Sequence, residues 1–501
     1  MATSTTLARP REDATSVRAA LRSPRRLRVE VLAGLVVALA LIPEAISFSI
    51  IAGVDPRVGL FASFTMAVSI AVLGGRPAMI SAATGAIALV IAPLVRDHGL
   101  DHLVAAVILG GVLQVVLGLA GVARLMRFVP RMVMVGFVNA LAILIFTAQL
   151  PYLIDVPWLV YPLVASAIAV MVALPRLTTA VPAPLVAIVV LTVLTVALGW
   201  QVPDVGDEGA LPESLPSLLW PDVPLTLDTL RIIAPYSLAI ALVGLLESLM
   251  TAKLVDDVTD TGSNKTRESW GQGAANIITG FFGGMGGCAM IGQTMINVKV
   301  SGARTRISTF LAGTFLLVLV VGLGDVVAVI PMAALVAVMV MVAVGTFDWH
   351  SIAPATLRRM PKSENLVMLA TVVVTVATEN LAYGVIVGVL VATLLFARRV
   401  AHLVTVTPSD GPGGTRTYAV DGVLFFASSN DLVHQFDYEG DPDHVVIDLS
   451  RSSVWDASTV AALDAVETKY ARRGKRVEIT GLDAASAARH ERLAGHLGGE
   501  G

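Results

Sequence analysis

Two acidic residues lie inside apolar segments of this chain, where an unpaired charge is costly. Glu44 lies within residues 38–51 and Glu247 within residues 240–252, and apolar side chains flank both. An ionised carboxylate at membrane depth costs about 3 kcal/mol or more, so such a group usually faces a wet cavity or carries a proton. The alternative is an acid near a helix end that reaches the lipid headgroups. We predict the first arrangement for both acids.

Each acid is followed by a segment that fits a full membrane span poorly. Residues 77–93 and 283–297 both begin with small or β-branched residues, and each then reaches a glycine beside polar atoms, at Thr84-Gly85 and Gly292-Gln293. This pattern predicts a half-helix that starts at mid-membrane, with its free N–H groups and positive dipole end in the bilayer centre. The order of acid and half-helix occurs twice, which indicates an inverted repeat and a transporter site at the midplane.

Two facing half-helix N-termini form an anion site without any cationic side chain. Neither segment contains Lys or Arg. The predicted substrate-binding residues are Phe48, Ala83, Thr84, Gly85, Ile291, Gly292 and Gln293, with Phe48 as an apolar wall.

Two acids beside an anion are compatible with binding if at least one is neutral when the anion is bound. We predict that Glu44 carries a coupling proton and that Glu247, with Thr251 one turn on, lines the cation side. A sodium ion held by Glu247 and the Thr251 hydroxyl would serve equally, and the sequence leaves H⁺ and Na⁺ open. No cofactor and no metal centre are expected, since the eight histidines lack metal-ligand spacing.

The composition places these segments in a membrane. The chain has 501 residues, of which 55% are hydrophobic and 15% charged, against about 25% charged in soluble proteins. Charge is sparse across residues 29–402 and normal from residue 403 onward. The long apolar runs exceed the strands of a transmembrane barrel, so the spans must be helices. We predict 14 spans within residues 29–402, a cytoplasmic segment 1–28 and a soluble domain at 414–501.

The charge pattern also limits partners and orientation. Net charge is −3 and there is one cysteine, so neither nucleic-acid binding nor an internal disulfide is expected. Basic loops alternate with acidic ones, and residues 177–230 contain no Lys or Arg. The positive-inside rule then predicts that both termini are cytoplasmic.

The tail has the alternation of a small α/β domain. Residues 418–426 predict a hairpin that turns at Asp421-Gly422, residues 444–450 and 476–480 predict strands, and residues 458–470 predict a helix.

These residues resemble a known family. Residues 42–48, Leu245–Leu249, Asn264–Asn276 and 286–305 resemble bacterial members of the sulfate permease (SulP) group, the solute carrier 26 anion transporters. In the tail, Ile447-Asp-Leu-Ser and Trp455-Asp-Ala-Ser resemble the STAS domain.

The resemblance implies a 7+7 inverted repeat, with a core domain of spans 1–4 and 8–11 and a gate domain of spans 5–7 and 12–14. It also implies elevator-like movement, a homodimer and a small anion as substrate. Many members have Ser-Arg where this chain has Gly292-Gln293, which removes a fixed positive charge. Bacterial bicarbonate carriers resemble the Gly-Gln version more closely. In the tail, Ala457 stands where antagonist-type STAS proteins carry a phosphorylated serine.

We therefore expect a secondary transporter and no enzyme, since no nucleophile–base pair appears. Its predicted activity is proton-coupled symport of an inorganic anion or dicarboxylate of the sulfate and fumarate class. The first alternative is a sodium-coupled bicarbonate importer of the same fold. An anion channel or a membrane sensor that signals through its STAS tail is the second.

Overall fold

The computed structural model describes residues 15–122, 124, 129–177, 182–224, 226–401, 404–411 and 414–496. Residues 1–14 of the predicted N-terminal segment and residues 497–501 of the predicted tail lie outside this part. The chain divides into two compact units, Met1–Val389 and Leu390–Gly501.

The first unit is helical. Its helices are α1 (Val17–Leu21), α2 (Pro24–Ala52), α3 (Pro56–Leu73), α4 (Gly85–Leu119), α5 (Arg131–Thr147), α6 (Val160–Leu177), α7 (Ala183–Leu198), α8 (Leu227–Thr259), α9 (Lys265–Phe281), α10 (Ile291–Met295), α11 (Arg306–Gly322), α12 (Gly324–Ala328), α13 (Met332–Thr346), α14 (Pro354–Arg359) and α15 (Lys362–Thr378). Helix α16 (Leu381–Ala401) crosses the boundary between the units.

Seven helices in the described part of the chain are long and apolar enough to span a bilayer, and three apolar helices are shorter. Helix α4 contains a kink at Gly99, whose φ of 80° is not helical, so it comprises two helical segments. The helical membrane fold is as predicted, and the number of 14 spans stays a prediction.

The helices form two packing groups. Helices α2, α3, α4, α8, α9 and α11 pack against one another, and α5, α6, α7, α13 and α15 form a second group. Contacts of α2 with α7 and α13, and of α4 with α5, join the groups.

Two short strands meet inside the first group. Strand β1 (Ser81–Ala82) pairs antiparallel with β2 (Cys288–Ala289), so that Ser81 faces Ala289 and Ala82 faces Cys288. Helix α4 begins three residues after β1, and α10 begins two residues after β2. A helix therefore begins in each of the two predicted segments, and the strand pair holds the two N-termini side by side, whereas their place at mid-membrane stays a prediction.

The second unit contains a four-stranded sheet in the order β3 (Thr405–Gly411), β4 (Thr415–Leu424), β5 (His444–Val454) and β6 (Arg476–Thr480). The β3–β4 pair is antiparallel, and the other two pairs are parallel. Three helices accompany it, α17 (Phe426–Leu432), α18 (Ala457–Ala471) and α19 (Ala484–Leu493).

The hairpin predicted at Asp421-Gly422 is wrong, because residues 418–424 belong to one strand. The β4–β5 register shifts between Ala419 and Asp421, and Gly422 has a φ of 122°. A positive φ allows glycine to follow a bulge as readily as a turn, so the Asp-Gly pair marks an irregular strand here. The strands at 444–450 and 476–480 and the helix at 458–470 are confirmed.

A buried carboxylate organises this second unit. Tyr418 and Tyr470 both donate hydrogen bonds to Asp441, at 2.8 and 2.5 Å. Burial and the neighbouring Asp441 raise the pKa of Tyr470, so its hydroxyl stays a donor at any physiological pH.

Candidate functional site

A cavity of about 400 Å³ lies between the two half-helices and the second packing group. Its volume falls in the range of small-molecule sites. The lining residues are Glu44, Phe48, Thr84, Gly85, Ala86, Phe137, Val138, Leu141, Ile145, Glu247, Met250, Met290, Ile291, Gly292, Gln293, Ile296, Val342, Gly345 and Thr346.

The structure brings eight of the ten predicted residues to this cavity, namely Glu44, Phe48, Thr84, Gly85, Glu247, Ile291, Gly292 and Gln293. The other two do not line it. The backbone N–H of Ala83 donates to the Ser63 hydroxyl at 3.2 Å, and the Thr251 hydroxyl donates to the main-chain oxygen of Glu247 at 2.8 Å. The spacing of one helical turn predicts that Thr251 lies beside the Glu247 side chain. The Thr251 hydroxyl instead donates to a backbone oxygen of its own helix.

The first acid pairs with the second half-helix. Glu44 lies on α2, and its Oε1 accepts a hydrogen bond of 2.5 Å from Nε2 of Gln293 on α10. The two residues are 249 positions apart in sequence. The acid of one repeat thus contacts the half-helix of the other.

The second acid reaches the first half-helix through a thiol. The Cys288 thiol on β2 donates to Oε2 of Glu247 at 2.6 Å, and the same sulfur lies 3.1 Å from the Thr84 hydroxyl. Thr84 is the N-cap of α4. The sequence does not predict this contact, because nothing in its local pattern indicates that Cys288 lies beside Thr84.

The two half-helix N-termini differ in their free donors. The Thr84 side chain accepts a weak hydrogen bond of 3.4 Å from the Ile87 N–H, whereas Met290, the N-cap of α10, offers no side-chain acceptor. The first N–H groups of a helix lack partners within that helix. Those of α10 are therefore available to a ligand, and its dipole favours an anion there.

The lining is mostly apolar, and its ionisable groups are acidic. Among the described residues that line the cavity, Glu44 and Glu247 are the only ionisable ones, and none is a cation. Attraction for an anion must then come from backbone and side-chain donors, while the two carboxyl groups oppose it when ionised. No group of three or more His, Cys, Asp or Glu side chains that could hold a metal ion occurs in the described ranges.

One face of α9 holds the strand pair in place. Gln272 Nε2 donates to the Ser81 hydroxyl at 2.6 Å, next to the first half-helix. The Asn276 side chain accepts from the Gly287 N–H at 2.8 Å and donates to the Gly287 oxygen at 3.0 Å, next to the second. Glu268, one turn before Gln272, accepts from the N–H groups of Gly75 and Arg76. The Asn264–Asn276 stretch therefore positions both halves of the site.

The opposite wall comes from α5 and α13. Helix α5 provides Phe137, Val138, Leu141 and Ile145, and α13 provides Val342, Gly345 and Thr346. The sequence does not predict these residues, because apolar side chains in apolar helices carry no signal that separates a cavity wall from lipid-facing surface.

Comparison with known proteins agrees with this architecture. Residues 27–175 and 156–371 match the sulfate permease family, and residues 408–494 match the STAS domain. The chain is 54% identical to the putative sulfate transporter YbaR of Bacillus subtilis, over 93% of this chain and 97% of that protein. It is 25% identical to the bicarbonate transporter BicA of a Picosynechococcus, over 94% and 91% of the two chains.

A solved structure shows the same fold. Murine Slc26a9, an anion transporter captured in the inward-facing state, superposes with a TM-score of 0.78 at 17% identity, over 93% of this chain and 87% of that one. The predicted family, helical membrane fold and STAS domain are confirmed. The chain belongs to the sulfate permease family, and it is a multi-pass membrane anion transporter with a C-terminal STAS domain rather than an enzyme.

Proposed function

We propose that this transporter catalyses proton-coupled symport of a small anion of the sulfate and dicarboxylate class, such as sulfate or fumarate. The observation that carries the proposal is one cavity wall with two helix N-termini, two carboxyl groups and, among the described lining residues, no cation. Such a site binds an anion poorly while both acids are ionised. Each proton taken up removes one repulsive charge, so proton and anion binding favour each other.

Glu44 is the proposed proton carrier. When ionised it accepts from the Gln293 amide, so that amide N–H is directed at the acid. A protonated Glu44 can instead donate to the Gln293 side-chain oxygen, because a protonated carboxyl has one O–H donor. The amide N–H₂ group is then free to donate to the anion. Neutralisation of Glu44 and release of the Gln293 amide both favour anion binding.

The packing groups support elevator-like alternating access. We assign α2–α4 and α8–α11 to the core domain, and α5–α7, α13, α15 and α16 to the gate domain. The cavity has Glu44, Thr84 and Glu247 on the core side and Phe137 and Val342 on the gate side. A bound anion would lie between the domains, and movement of the core along the smooth apolar gate wall would carry it across.

Sodium-coupled bicarbonate import is the second candidate. The 25% identity to the bicarbonate transporter BicA favours it. The predicted cation ligand Thr251 donates its hydroxyl to a backbone oxygen and does not line the cavity, which favours a proton at this position.

The test is uptake into proteoliposomes of labelled sulfate, bicarbonate and fumarate, with an inward pH gradient or an inward sodium gradient imposed separately. We expect the pH gradient alone to accelerate sulfate or fumarate uptake. Acceleration of bicarbonate by sodium alone would replace this proposal with the second candidate. Flux that follows only the anion's own gradient, at high unitary rates, would indicate a channel.

Glu44→Gln tests the assignment of the proton. The amide cannot titrate, so we expect it to abolish acceleration by the pH gradient while folding is retained. Glu364→Gln is the matched control, because Glu364 is an exposed acid in the first turn of α15. Uptake by Glu44→Gln that still follows the pH gradient would remove Glu44 as the carrier.

Assembly and location complete the proposal. We propose a homodimer in a bacterial inner membrane with both termini in the cytoplasm, in line with the basic loops. Deletion of residues 414–501 is expected to impair assembly or rate more than anion preference. Light scattering of the purified protein and the uptake assay above measure the two effects, and a changed anion preference would contradict this role of the tail.

A further inference from the structure

We propose that Cys288 is a positioning residue that passes the charge state of Glu247 to Thr84, and so controls whether the Thr84 hydroxyl donates to the anion. The inference rests on the proposed anion site, and it adds a second route by which a proton favours anion binding. It stands on three side chains in series, from α8 through β2 to the N-cap of α4.

The hydrogen-bond directions follow from counting hydrogens. A thiol has one hydrogen and a hydroxyl has one. The Cys288 thiol donates its hydrogen to the Glu247 carboxylate at 2.6 Å. The contact of 3.1 Å between Cys288 and Thr84 must then be donated by the Thr84 hydroxyl to the sulfur. In this state the Thr84 hydrogen points at Cys288, away from the cavity that Thr84 lines.

Protonation of Glu247 reverses the direction of both hydrogen bonds in this series. The new O–H of Glu247 donates to the Cys288 sulfur, the thiol hydrogen turns to the Thr84 oxygen, and the Thr84 hydrogen is released toward the cavity. One proton is taken up, and no covalent bond to sulfur changes. The Thr84 oxygen can accept from both the thiol and the Ile87 N–H, since a hydroxyl oxygen accepts two hydrogen bonds.

The surroundings leave few other groups that could titrate in this series. Glu247 lines the same cavity as Glu44 from α2, and it contacts Cys288 from β2. The residues of α4, α5, α10 and α13 that line the cavity carry no ionisable side chain in the described part of the chain. Cys288 is fully buried and does not line the cavity, so its hydrogen bonds are shielded from bulk solvent.

The chain contains one cysteine, so its S–H stretching band in the infrared reports Cys288 alone. In the purified full-length protein, we expect a low-frequency band at alkaline pH, where the thiol donates to a carboxylate, and a shift to higher frequency as the pH falls. Glu247→Gln should show the high-frequency band at every pH, whereas Glu44→Gln should retain the shift. A band that does not move with pH, or that still moves in Glu247→Gln, overturns the proposal.

Uptake of labelled sulfate provides the functional readout. Cys288→Ala removes the sulfur that holds the Thr84 hydrogen, so the hydroxyl can donate to the anion at any pH. We expect its KM at alkaline pH to fall about tenfold below that of the wild type, the equivalent of one hydrogen bond to a charged ligand, and its KM at acidic pH to stay unchanged. Cys288→Ser keeps one donor and one acceptor oxygen and should restore the wild-type pH profile of KM. A Cys288→Ala protein with the wild-type pH profile, or a serine variant that behaves like alanine, contradicts the relay.

These results separate the relay from the proposed function. Absence of gradient-driven uptake by the wild-type protein counts against proton-coupled symport, while the infrared band tests the relay without any transport. Gel filtration of each variant identifies loss of folding, and Cys288→Ser and the wild-type pH series remain decisive if Cys288→Ala does not fold.

Discussion

The two half-helix N-termini occupy equivalent places in the two repeats, but they are built differently. Helix α4 begins at Gly85 under a threonine cap, and a Cβ there would lie 2.9 Å from Cε1 of Phe48. Helix α10 begins under Met290, without a side-chain cap, and a Cβ at Gly292 would meet nothing within 4 Å. The first N-terminus is capped and tightly packed, and the second is uncapped and open.

This difference indicates that the two N-termini contribute differently to anion binding. The open N-terminus of α10 has backbone donors to spare, so it is the stronger anion partner. The packed N-terminus of α4 fixes one wall and offers Thr84, whose availability depends on Cys288. Each acid acts at the half-helix of the other repeat. Glu44 lies at the open N-terminus of α10, and Glu247 lies near the packed N-terminus of α4.

The largest effect is expected for Gly287→Ala. A Cβ at Gly287 would lie 2.1 Å from the backbone oxygen of Ala82, which cannot move without separating β1 from β2. Overpacking against backbone should cost about 3 kcal/mol or more and abolish uptake, since both N-termini depend on the strand pair. Thermal unfolding followed by gel filtration measures the first effect.

Gly262→Ala is the control for that substitution, because a Cβ at Gly262 meets nothing within 4 Å. It should behave as wild type. A stable and active Gly287→Ala protein would show that the strand pair does not position the half-helices.

The next effects distinguish the two attachments to α9. Asn276→Ala removes the side-chain partner of the buried N–H and oxygen of Gly287 and a hydrogen bond to Gln114. Gln272→Ala removes hydrogen bonds to the Ser81 hydroxyl and to the Glu268 carboxylate, which keeps two backbone N–H donors. An unsatisfied buried group costs about 1–3 kcal/mol, so we expect Asn276→Ala to be the more destabilising. Asn276→Ala should also lower sulfate affinity more, because it loosens the open N-terminus. Equal effects on KM would argue against the asymmetry.

The sequence predicted the parts of the site that carry an unusual residue. Glu44 and Glu247 are conspicuous because acids are rare in apolar spans, and Thr84-Gly85 and Gly292-Gln293 interrupt such spans. The local pattern predicts these positions. The repeated order of acid and interrupted span predicts that they occupy equivalent places in the two repeats.

The sequence does not predict the contacts between segments that lie far apart in the chain. Cys288 acts through Glu247 and Thr84, and Gln272 acts through Ser81, 191 residues away. A pairing that depends on tertiary packing leaves no trace in local spacing. The error at Asp421-Gly422 has the same origin, because only the partner strand β5 shows that the glycine follows a bulge.

A paired substitution tests packing at the two glycines. In Gly85→Ala the new methyl group displaces the Phe48 ring and approaches Ile145 Cδ1 at 3.2 Å, so we expect sulfate KM to rise about tenfold. In Gly292→Ala the methyl group enters open space and the backbone N–H stays free, so KM should change by less than about threefold. Initial rates of sulfate uptake measure both. A larger loss in Gly292→Ala would place the anion against that Cα.

The smallest expected effect comes from giving α10 the cap that α4 already has. In Met290→Thr, the new hydroxyl can accept from the first free N–H groups of α10, which stabilises the helix by about 1 kcal/mol. The same donors are those that we assign to the anion. We therefore expect a small rise in thermal stability together with a rise of about threefold in sulfate KM.

Met250→Thr is the matched control, because Met250 lines the same cavity from within α8, where its hydroxyl cannot cap α10. It removes the same side chain volume and should leave the stability of α10 unchanged. If Met290→Thr gains stability while its KM stays equal to that of Met250→Thr, the anion does not use the N–H groups of α10. The open N-terminus would then be a structural feature of the second repeat, and Thr84 with Gln293 would remain as the anion's donors.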